Sequence, residues 1–324
     1  MDSPLVSVCI PTYNQENFII DALEGALMQK DCDFEIILAN DGSTDGTTRI
    51  CREYAAKYPD IIRLIDQPHN KGIIINTRDC LLAARGKYIA ICEGDDYWCD
   101  DRKLQKQVDI LETQPEVTIV HTNWHNLEQA TGKITPTDII ITDLLCESQS
   151  GKASVECLVR DSYRGMRFST MMFRKKVLDD ALVRFPDLFA EEYSTLDVVI
   201  VYICGWYGKF TFLPDFTSVY RRQDESVSFT SDEMKRTRYA LGCLRIRAYF
   251  IEECGLSNDL REYVFHRSVS GMAPTIFKYR GVKEAEEIKA LARRYRYRLR
   301  LGQRLCFYGA VHGWIRPVVG MLVK

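Results

Sequence analysis

The first hundred residues alternate short apolar runs with stretches of helical period, and every apolar run ends in a polar cluster. Residues 5–10 stop at Pro11-Thr12-Tyr13-Asn14, and residues 34–39 stop at Asn40-Asp41-Gly42-Ser43-Thr44-Asp45. Residues 61–65 lead to His69-Asn70-Lys71-Gly72, and residues 88–92 stop at Glu93-Gly94-Asp95-Asp96. Such short apolar runs read as buried strands. The intervening spacing predicts helices over 17–29, from a Ser43 or Thr44 cap to about 58, and over 73–84 with Gly86 as C-cap. Strand-helix alternation at this interval predicts a parallel sheet with right-handed crossovers. Ligands of such sheets sit outside the carboxyl ends of the strands, so the four clusters are expected to open on one edge.

The last of these clusters is the most demanding. Three acids at the end of a buried strand repel one another and are poorly hydrated, so they call for a counter-charge. A hard cation, Mn²⁺ or Mg²⁺, carrying phosphate oxygens would supply it, whereas an acidic turn capping a helix near Asp101 is the plain alternative. No GxGxxG follows the first strand and no GxxxxGK[ST] occurs, which leaves a dinucleotide fold and a P-loop without support.

Taken in order, these four clusters, with Tyr97-Trp98 closing the last, resemble family 2 inverting glycosyltransferases of GT-A fold over roughly residues 4–230. The resemblance implies a GT-A-type mixed sheet in an α/β fold, with an N-terminal parallel nucleotide-binding half, flanking helices and a C-terminal helical segment. It implies a nucleotide site formed by Pro11, Thr12, Tyr13, Asn14, Asp41, Asn70, Gly72, Arg78, Glu93, Gly94 and Asp95. Thr12 and Tyr13 would line the base and Asp41 would hydrogen-bond it. Arg78 would approach the nucleotide, and Asp95 and Asp96 would contact ribose and metal. Glu93 stands where the family's DxD begins, and Asn76-Thr77-Arg78-Asp79 where it shows Ala-Arg-Asn.

Beyond residue 114 the alternation fails, and residues 131–151 read as an irregular loop. Residues 168–174 read as a strand that faces the acceptor in the family. Asp197 lies among Leu196, Val198, Val199 and Ile200, where desolvation penalises a charge without a partner. The family places its catalytic base on such a helix, before a strand like Gly208-Lys209-Phe210, which assigns Asp197; Glu191 and Glu192 are the alternatives. Val219 to Ser228 resembles the family's Tyr-Arg-x-His-x-x-Ser segment, with Arg221 offered to phosphate and Gln223 where histidine is frequent. His121 and His125 have a four-residue spacing but no acid as in HExxH, so polar strand-end residues are favoured over a metal site.

The formal net charge of −2 argues against a nucleic-acid partner, yet from Arg293 onward there are eight basic residues and no acid. With interleaved Tyr295, Tyr297, Leu299 and Leu301, this end is expected to meet an anionic membrane surface. Twelve cysteines without a CxxC pair, and no secretory signal, suggest a reduced cytoplasmic setting, on the inner face of a membrane. The expected division is 1–115 for the nucleotide-sugar, 116–230 for the acceptor and 231–324 for the basic helical region. The expected activity is transfer from a nucleotide-diphospho-sugar, a UDP-sugar by preference, to a glycan or lipid-linked glycan acceptor in polysaccharide biosynthesis. The transferred group would be of hexosyl or N-acetylhexosaminyl type. A non-catalytic nucleotide-sugar binder and a sugar nucleotidyltransferase are the alternatives; the second would need a basic Gly-rich loop where Pro11-Thr12-Tyr13-Asn14 stands.

Overall fold

The computed structural model describes residues 3–137, 149–161, 166–190, 193–223 and 230–312. β1 (Val6–Thr12), α1 (Ile19–Leu27), β2 (Phe34–Asn40), α2 (Thr47–Lys57), β3 (Ile62–Asp66), α3 (Ile73–Leu82) and β4 (Tyr88–Ile91) follow the predicted alternation. β3, β2, β1 and β4 are mutually parallel. Two caps differ from expectation. α2 starts at Thr47, with the Asp45 carboxylate taking its N–H at 3.0 Å, so neither Ser43 nor Thr44 caps it. α3 ends at Leu82, and Gly86 serves a different need: a Cβ there would lie 2.6 Å from the Ser7 nitrogen. That glycine lets the chain re-enter the sheet against β1.

After β4 come β5 (Tyr97–Trp98), α4 (Lys103–Thr113), β6 (Val117–Glu128), β7 (Lys133–Pro136) and α5 (Lys152–Asp161). The expected strand at 168–174 is a 3-10 turn, Phe168–Thr170, and a short β8 (Met172–Arg174). α6 (Lys175–Arg184), α7 (Asp197–Tyr207) and β9 (Lys209–Arg222) complete the sheet, whose order is β3-β2-β1-β4-β8-β6-β9-β5, with β7 beside β6. β8 runs antiparallel to β4 and to β6, which makes the sheet mixed, as the GT-A expectation requires. α1 approaches β5 so closely that a Cβ on Gly25 would meet the Trp98 backbone at 2.8 Å. That close contact holds the far end of the sheet beside the first crossover. Residues 138–148, in the expected irregular loop, lie outside the described residues.

α8 (Glu233–Glu253), α9 (Asn258–Tyr279), α10 (Val282–Arg294) and α11 (Leu301–Val311) form the expected helical end. They are not a separate body. A single apolar cluster joins Cys9, Ile37 and Ile89 of the sheet through Val199 and Tyr202 to Phe250, Ile276, Tyr295 and Phe307. Asp232 caps α8 with hydrogen bonds to the Met234 and Lys235 nitrogens, and Ser257 caps α9. His121 and His125 lie within β6 and stack on Phe212 and Phe216 of β9, with ring centroids 5.1 and 4.7 Å apart.

Lys103, fully buried at the start of α4, escaped the sequence reading. Its Nζ donates to Gln107 Oε1 at 2.5 Å and sits 4.7 Å from the Trp98 ring. Burial pushes the amine down to about 7, against smaller upward effects of Cys92 and Asp100. The unfolded chain then binds the proton more readily between about pH 7 and pH 10. The resulting destabilisation is fully present below about 7 and is relieved as pH rises through that window. Lys103→Met lacks this dependence. Its melting temperature relative to wild type should therefore fall as pH is raised from 6 to 9, as followed by circular dichroism.

A candidate nucleotide-sugar site at the carboxyl edge of the sheet

The loops after β1, β2 and β3 are fastened to one another by side chains that turn inward. Asn14, in the left-handed region at φ 51°, accepts the Thr44 N–H at 2.8 Å, while its own N–H goes to Ser43 Oγ. Glu16 accepts the Gly46 N–H, and Thr12 Oγ1 donates to Gln15 Oε1 at 2.7 Å. The Asp41 carboxylate, 2% exposed, takes the Lys71 and Gly72 N–H groups, one on each oxygen, at 2.8 and 3.0 Å. Asn70 Oδ1 accepts from Gly72 as well. Gly42 and Gly72 have φ of +64° and +93°, and a Cβ on Gly42 would strike the His69 backbone at 2.5 Å. The third loop can therefore close over the second only at a glycine. Of the residues expected to meet the base, Tyr13 is exposed and Thr12 is buried.

The loop after β4 joins the same edge. The Gly94 N–H donates to the Pro11 carbonyl at 3.2 Å, and a Cβ on Gly94 would sit 2.8 Å from Thr12 Oγ1. The acids Glu93, Asp95 and Asp96 thereby stand beside the Pro11–Asn14 turn. Burial and then Asp96 and Asp95 push the Glu93 carboxyl well above its ordinary range. Asp96 is pushed up to about 8 by burial and then by Asp95; the Arg221 N–H at 3.1 Å and Ser169 Oγ at 2.9 Å pull it back. Asp95 is raised by burial and accepts from Gln223 Nε2 at 3.4 Å, so the glutamine in the histidine position touches an acid.

Asp197 is the first residue of α7, where its Oδ1 accepts the Val198 N–H at 2.6 Å and a bond from Thr195 Oγ1. Burial raises its carboxyl, and its charge acts on Glu93. The Asp197 carboxylate thus lies within electrostatic reach of Glu93 in the acidic centre at the β4 end. Glu191 and Glu192 lie outside the described residues. Arg167, which no sequence signal marked, is a cation in this centre. It lowers Glu93, Asp96 and Asp197, and its guanidinium lies 4.0 Å from the Tyr220 ring centre. Its carbonyl is fixed by Thr170 Oγ1 at 2.7 Å.

The two arginines expected at the nucleotide also have protein partners. Arg78 pairs with Asp79 at 2.9 Å. Arg221, 7% exposed, is ion-paired with Asp21 of α1, donates to Gln129 Oε1 at 3.2 Å, and lies between the Phe18 and Tyr97 rings. Its guanidinium fastens the end of β9 to α1.

Carboxylates are hard oxygen donors, and their crowding at the β4 end suits a hard divalent cation. Among the described residues no group of three His, Cys, Asp or Glu side chains is placed to hold a metal ion.

The sequence pattern of Glycosyl transferase family 2 matches residues 7–181, more than half of the 324 residues, and the chain belongs to that family. It is 42% identical to the putative glycosyltransferase EpsE of Bacillus subtilis over 119 residues, 37% of this chain and 42% of that protein. It is 35% identical to the chondroitin synthase of Escherichia coli over 126 residues, 39% of this chain and 18% of that protein. An uncharacterized Mycobacterium tuberculosis protein is 49% identical over 115 residues, 35% of this chain and 33% of its own length. The chain thus spans between about a fifth and two fifths of these relatives.

Among solved structures, Staphylococcus aureus TarS is similar with a TM-score of 0.59 and 17% identity, covering 97% of this chain and 55% of that one. TarS 1-349 in complex with UDP-GlcNAc gives 0.53 and 14%, with coverage of 95% and 92%. The mannosyltransferase PcManGT from Pyrobaculum calidifontis, in complex with GDP-Man and Mn²⁺, gives 0.53 and 18%, with coverage of 100% and 89%. At these identities the likeness speaks for the fold.

The two bonds at Asp41 give a direct test. Asp41→Asn turns one acceptor into an N–H donor facing a backbone N–H. Urea unfolding should show a loss of about 1–3 kcal/mol, the penalty for an unsatisfied buried group.

Proposed function

We propose that the chain is a divalent-cation-dependent inverting glycosyltransferase. It would transfer a sugar from a nucleotide-diphospho-sugar, by preference a UDP-sugar, to a glycan or lipid-linked glycan in polysaccharide biosynthesis. What supports this reading is the group of acids Glu93, Asp95 and Asp96 at the carboxyl end of β4 in a GT-A sheet, with the Asp197 carboxylate within electrostatic reach of Glu93. The sugar nucleotides bound by TarS and PcManGT, and the polysaccharide products in relatives' names, support the substrate class.

In this reading residues 1–115 hold the donor. Pro11, Thr12, Tyr13 and Asn14 flank the base, and Asp41 reaches it while keeping loop 70–72 in place through the Lys71 and Gly72 N–H groups, with Asn70 and Gly72 beside the nucleotide. Gly94 lets the β4-end loop close on the Gln15 and Thr12 side chains, which would hold that loop at the nucleotide. Asp95 and Asp96 would hold Mn²⁺ or Mg²⁺, with Glu93 adding negative charge. The bound cation supplies positive charge against the departing diphosphate. Arg78 would turn from Asp79 towards the nucleotide, and Arg221 would reach phosphate only by opening its pair with Asp21. Residues 116–230 carry the acceptor side, where Asp197 Oδ2, the oxygen outside the Thr195 and Val198 bonds, takes the proton of the attacking hydroxyl. Attack opposite the leaving diphosphate in one displacement inverts the anomeric carbon.

Titration calorimetry with UDP and Mn²⁺ should give binding to wild type and to Asp197→Asn, with large losses in Asp95→Ala and in EDTA. Asp197→Asn should lower single-turnover transfer by ~10²–10⁴-fold. Equal UDP affinity with and without EDTA would remove the cation. Binding without turnover of any donor would favour the non-catalytic reading.

The C-terminal region, 231–324, is assigned to an anionic membrane surface, at the cytoplasmic face. Arg293, Arg294, Arg296, Arg298, Arg300 and Arg304 are exposed, beside the exposed Leu301 and Tyr308. No described helix is long and apolar enough to cross a membrane. Because Tyr295, Tyr297 and Phe307 are core residues, truncation would damage the fold, and charge removal is the appropriate test. Arg296, Arg298 and Arg304 together changed to Gln should weaken salt-sensitive sedimentation with phosphatidylglycerol vesicles, each contributing about 1 kcal/mol. Undiminished sedimentation would refute the assignment.

A further inference from the structure

A cavity of about 680 Å³ opens between α8, α10 and the segment leading to α7, outside the stretch matched by the family pattern. Its size falls within the ~300–1,000 Å³ usual for small-molecule pockets. Arg245 and Tyr249 reach it from α8, three and seven residues after Gly242 and so on the same helix face. Gly242 is where α8 meets the segment before α7. A Cβ there would sit 2.7 Å from the Ser194 nitrogen, so only glycine permits this approach. From α10 come Glu287, Ala290, Leu291 and Arg294, whose three- and four-residue spacing turns one helical stripe to the cavity. Tyr193, Tyr249 and Tyr295 are buried and line it, the first two with ring centroids 6.3 Å apart. Tyr193 Oη donates to the Asp187 carbonyl at 3.3 Å, and the Asp187 N–H donates to Tyr249 Oη at 3.3 Å. These bonds use the Asp187 backbone, and the residue itself is exposed at the cavity.

The charges of the lining decide what it holds. Arg245 and Glu287 pair with each other at 2.8 Å. The Asp187 carboxylate and the Arg294 guanidinium are in no ion pair among the described residues, and Arg294 lies 5.3 Å from the Tyr295 ring centre. Two acids balance two arginines, so an anion would meet Asp187 and Glu287, and a cation would meet the arginines. An alkyl chain would strip water from charges it cannot pair. A sugar hydroxyl donates to a carboxylate and accepts from a guanidinium, while its C–H face rests on tyrosine and leucine. We propose that this cavity is a second saccharide site, which holds a neutral sugar unit of the acceptor glycan remote from the reacting hydroxyl. The link to the acceptor rests on the transferase reading above, whereas saccharide binding rests on the cavity itself. Tyr193 precedes Asp197 by four residues, so their Cα atoms are at most ~14 Å apart, an interval that a short oligosaccharide spans.

The test uses an array of neutral, uronic-acid, sulfated and phosphorylated oligosaccharides, followed by calorimetry with the best-retained member. Wild type should retain neutral oligosaccharides in the absence of any donor. Ala290→Trp, at an exposed position of α10, fills the cavity without changing charge and should abolish that binding. Arg294→Gln should weaken it about tenfold, the scale of one hydrogen bond to a charged group. Melting temperatures of both variants should match wild type. With the retained oligosaccharide as acceptor, Ala290→Trp should raise KM about tenfold, while transfer to octyl monosaccharides keeps its wild-type rate. Array binding that is absent in wild type, or equal in wild type, Ala290→Trp and Arg294→Gln, would overturn the proposal. Retention of sulfated or phosphorylated members alone would overturn it in favour of an anion site. A wild type that turns over no donor would remove the transferase reading, and loss of array binding in Ala290→Trp would still establish the saccharide site.

Discussion

Crowding of carboxylates around the buried Asp96 at the end of β4 is the constraint to which the surrounding structure answers. Glu93, Asp95 and Asp96 leave a four-residue strand with apolar neighbours on both sides, where water cannot screen them well. Ser169 Oγ, the Arg221 N–H and the Arg167 charge each offset part of that cost, and they come from distant parts of the sequence. The 3-10 turn at Phe168–Thr170 serves the same end. Ser169 gives its hydroxyl to Asp96, while its carbonyl accepts from Trp98 Nε1 at 2.8 Å and Ser218 Oγ at 2.9 Å. Carboxylates kept close and only partly neutralised remain open to a further counter-charge.

The sheet supplies the geometry for this centre. Parallel strands β1 to β4 deliver four loops to one edge, and the antiparallel β8 reverses direction so that β6 and β9 return towards it. β9 then pairs with β5, placing Arg221 against α1 and Gln223 against Asp95. Gly25 and Gly42 meet backbone, and Gly94 meets the Gln15 and Thr12 side chains, so each glycine permits a close approach. Helices α8 to α11 share the core on one face of the sheet, so the segment bearing Asp197 is supported from behind by α8.

Local chemistry made the first half legible. Each strand from β1 to β4 is an apolar run ended by polar residues, and the crossover rule alone sends those ends to one edge. The acids of 93–96 and the isolated Asp197 were visible because charge beside apolar residues is costly enough to be rare. Arg167, Ser169 and Lys103 left no such mark. An arginine, a serine or a lysine in a mixed stretch is compatible with any surface position.

The sequence by itself determined the alternating architecture, the edge on which the loops open and the acids that crowd there. These follow from period, polarity and chain direction, which are properties of neighbouring residues. Only the tertiary structure decided the partners. It gave the Arg221 guanidinium to Asp21, the Asp41 carboxylate to the backbone of the loop after β3, and the basic C-terminal segment to the core through Tyr295, Tyr297 and Phe307. It also set α8 on Ser194 through Gly242. Pairings of this kind depend on where separate elements come to rest, and burial strengthens charge interactions that a sequence pattern cannot weigh.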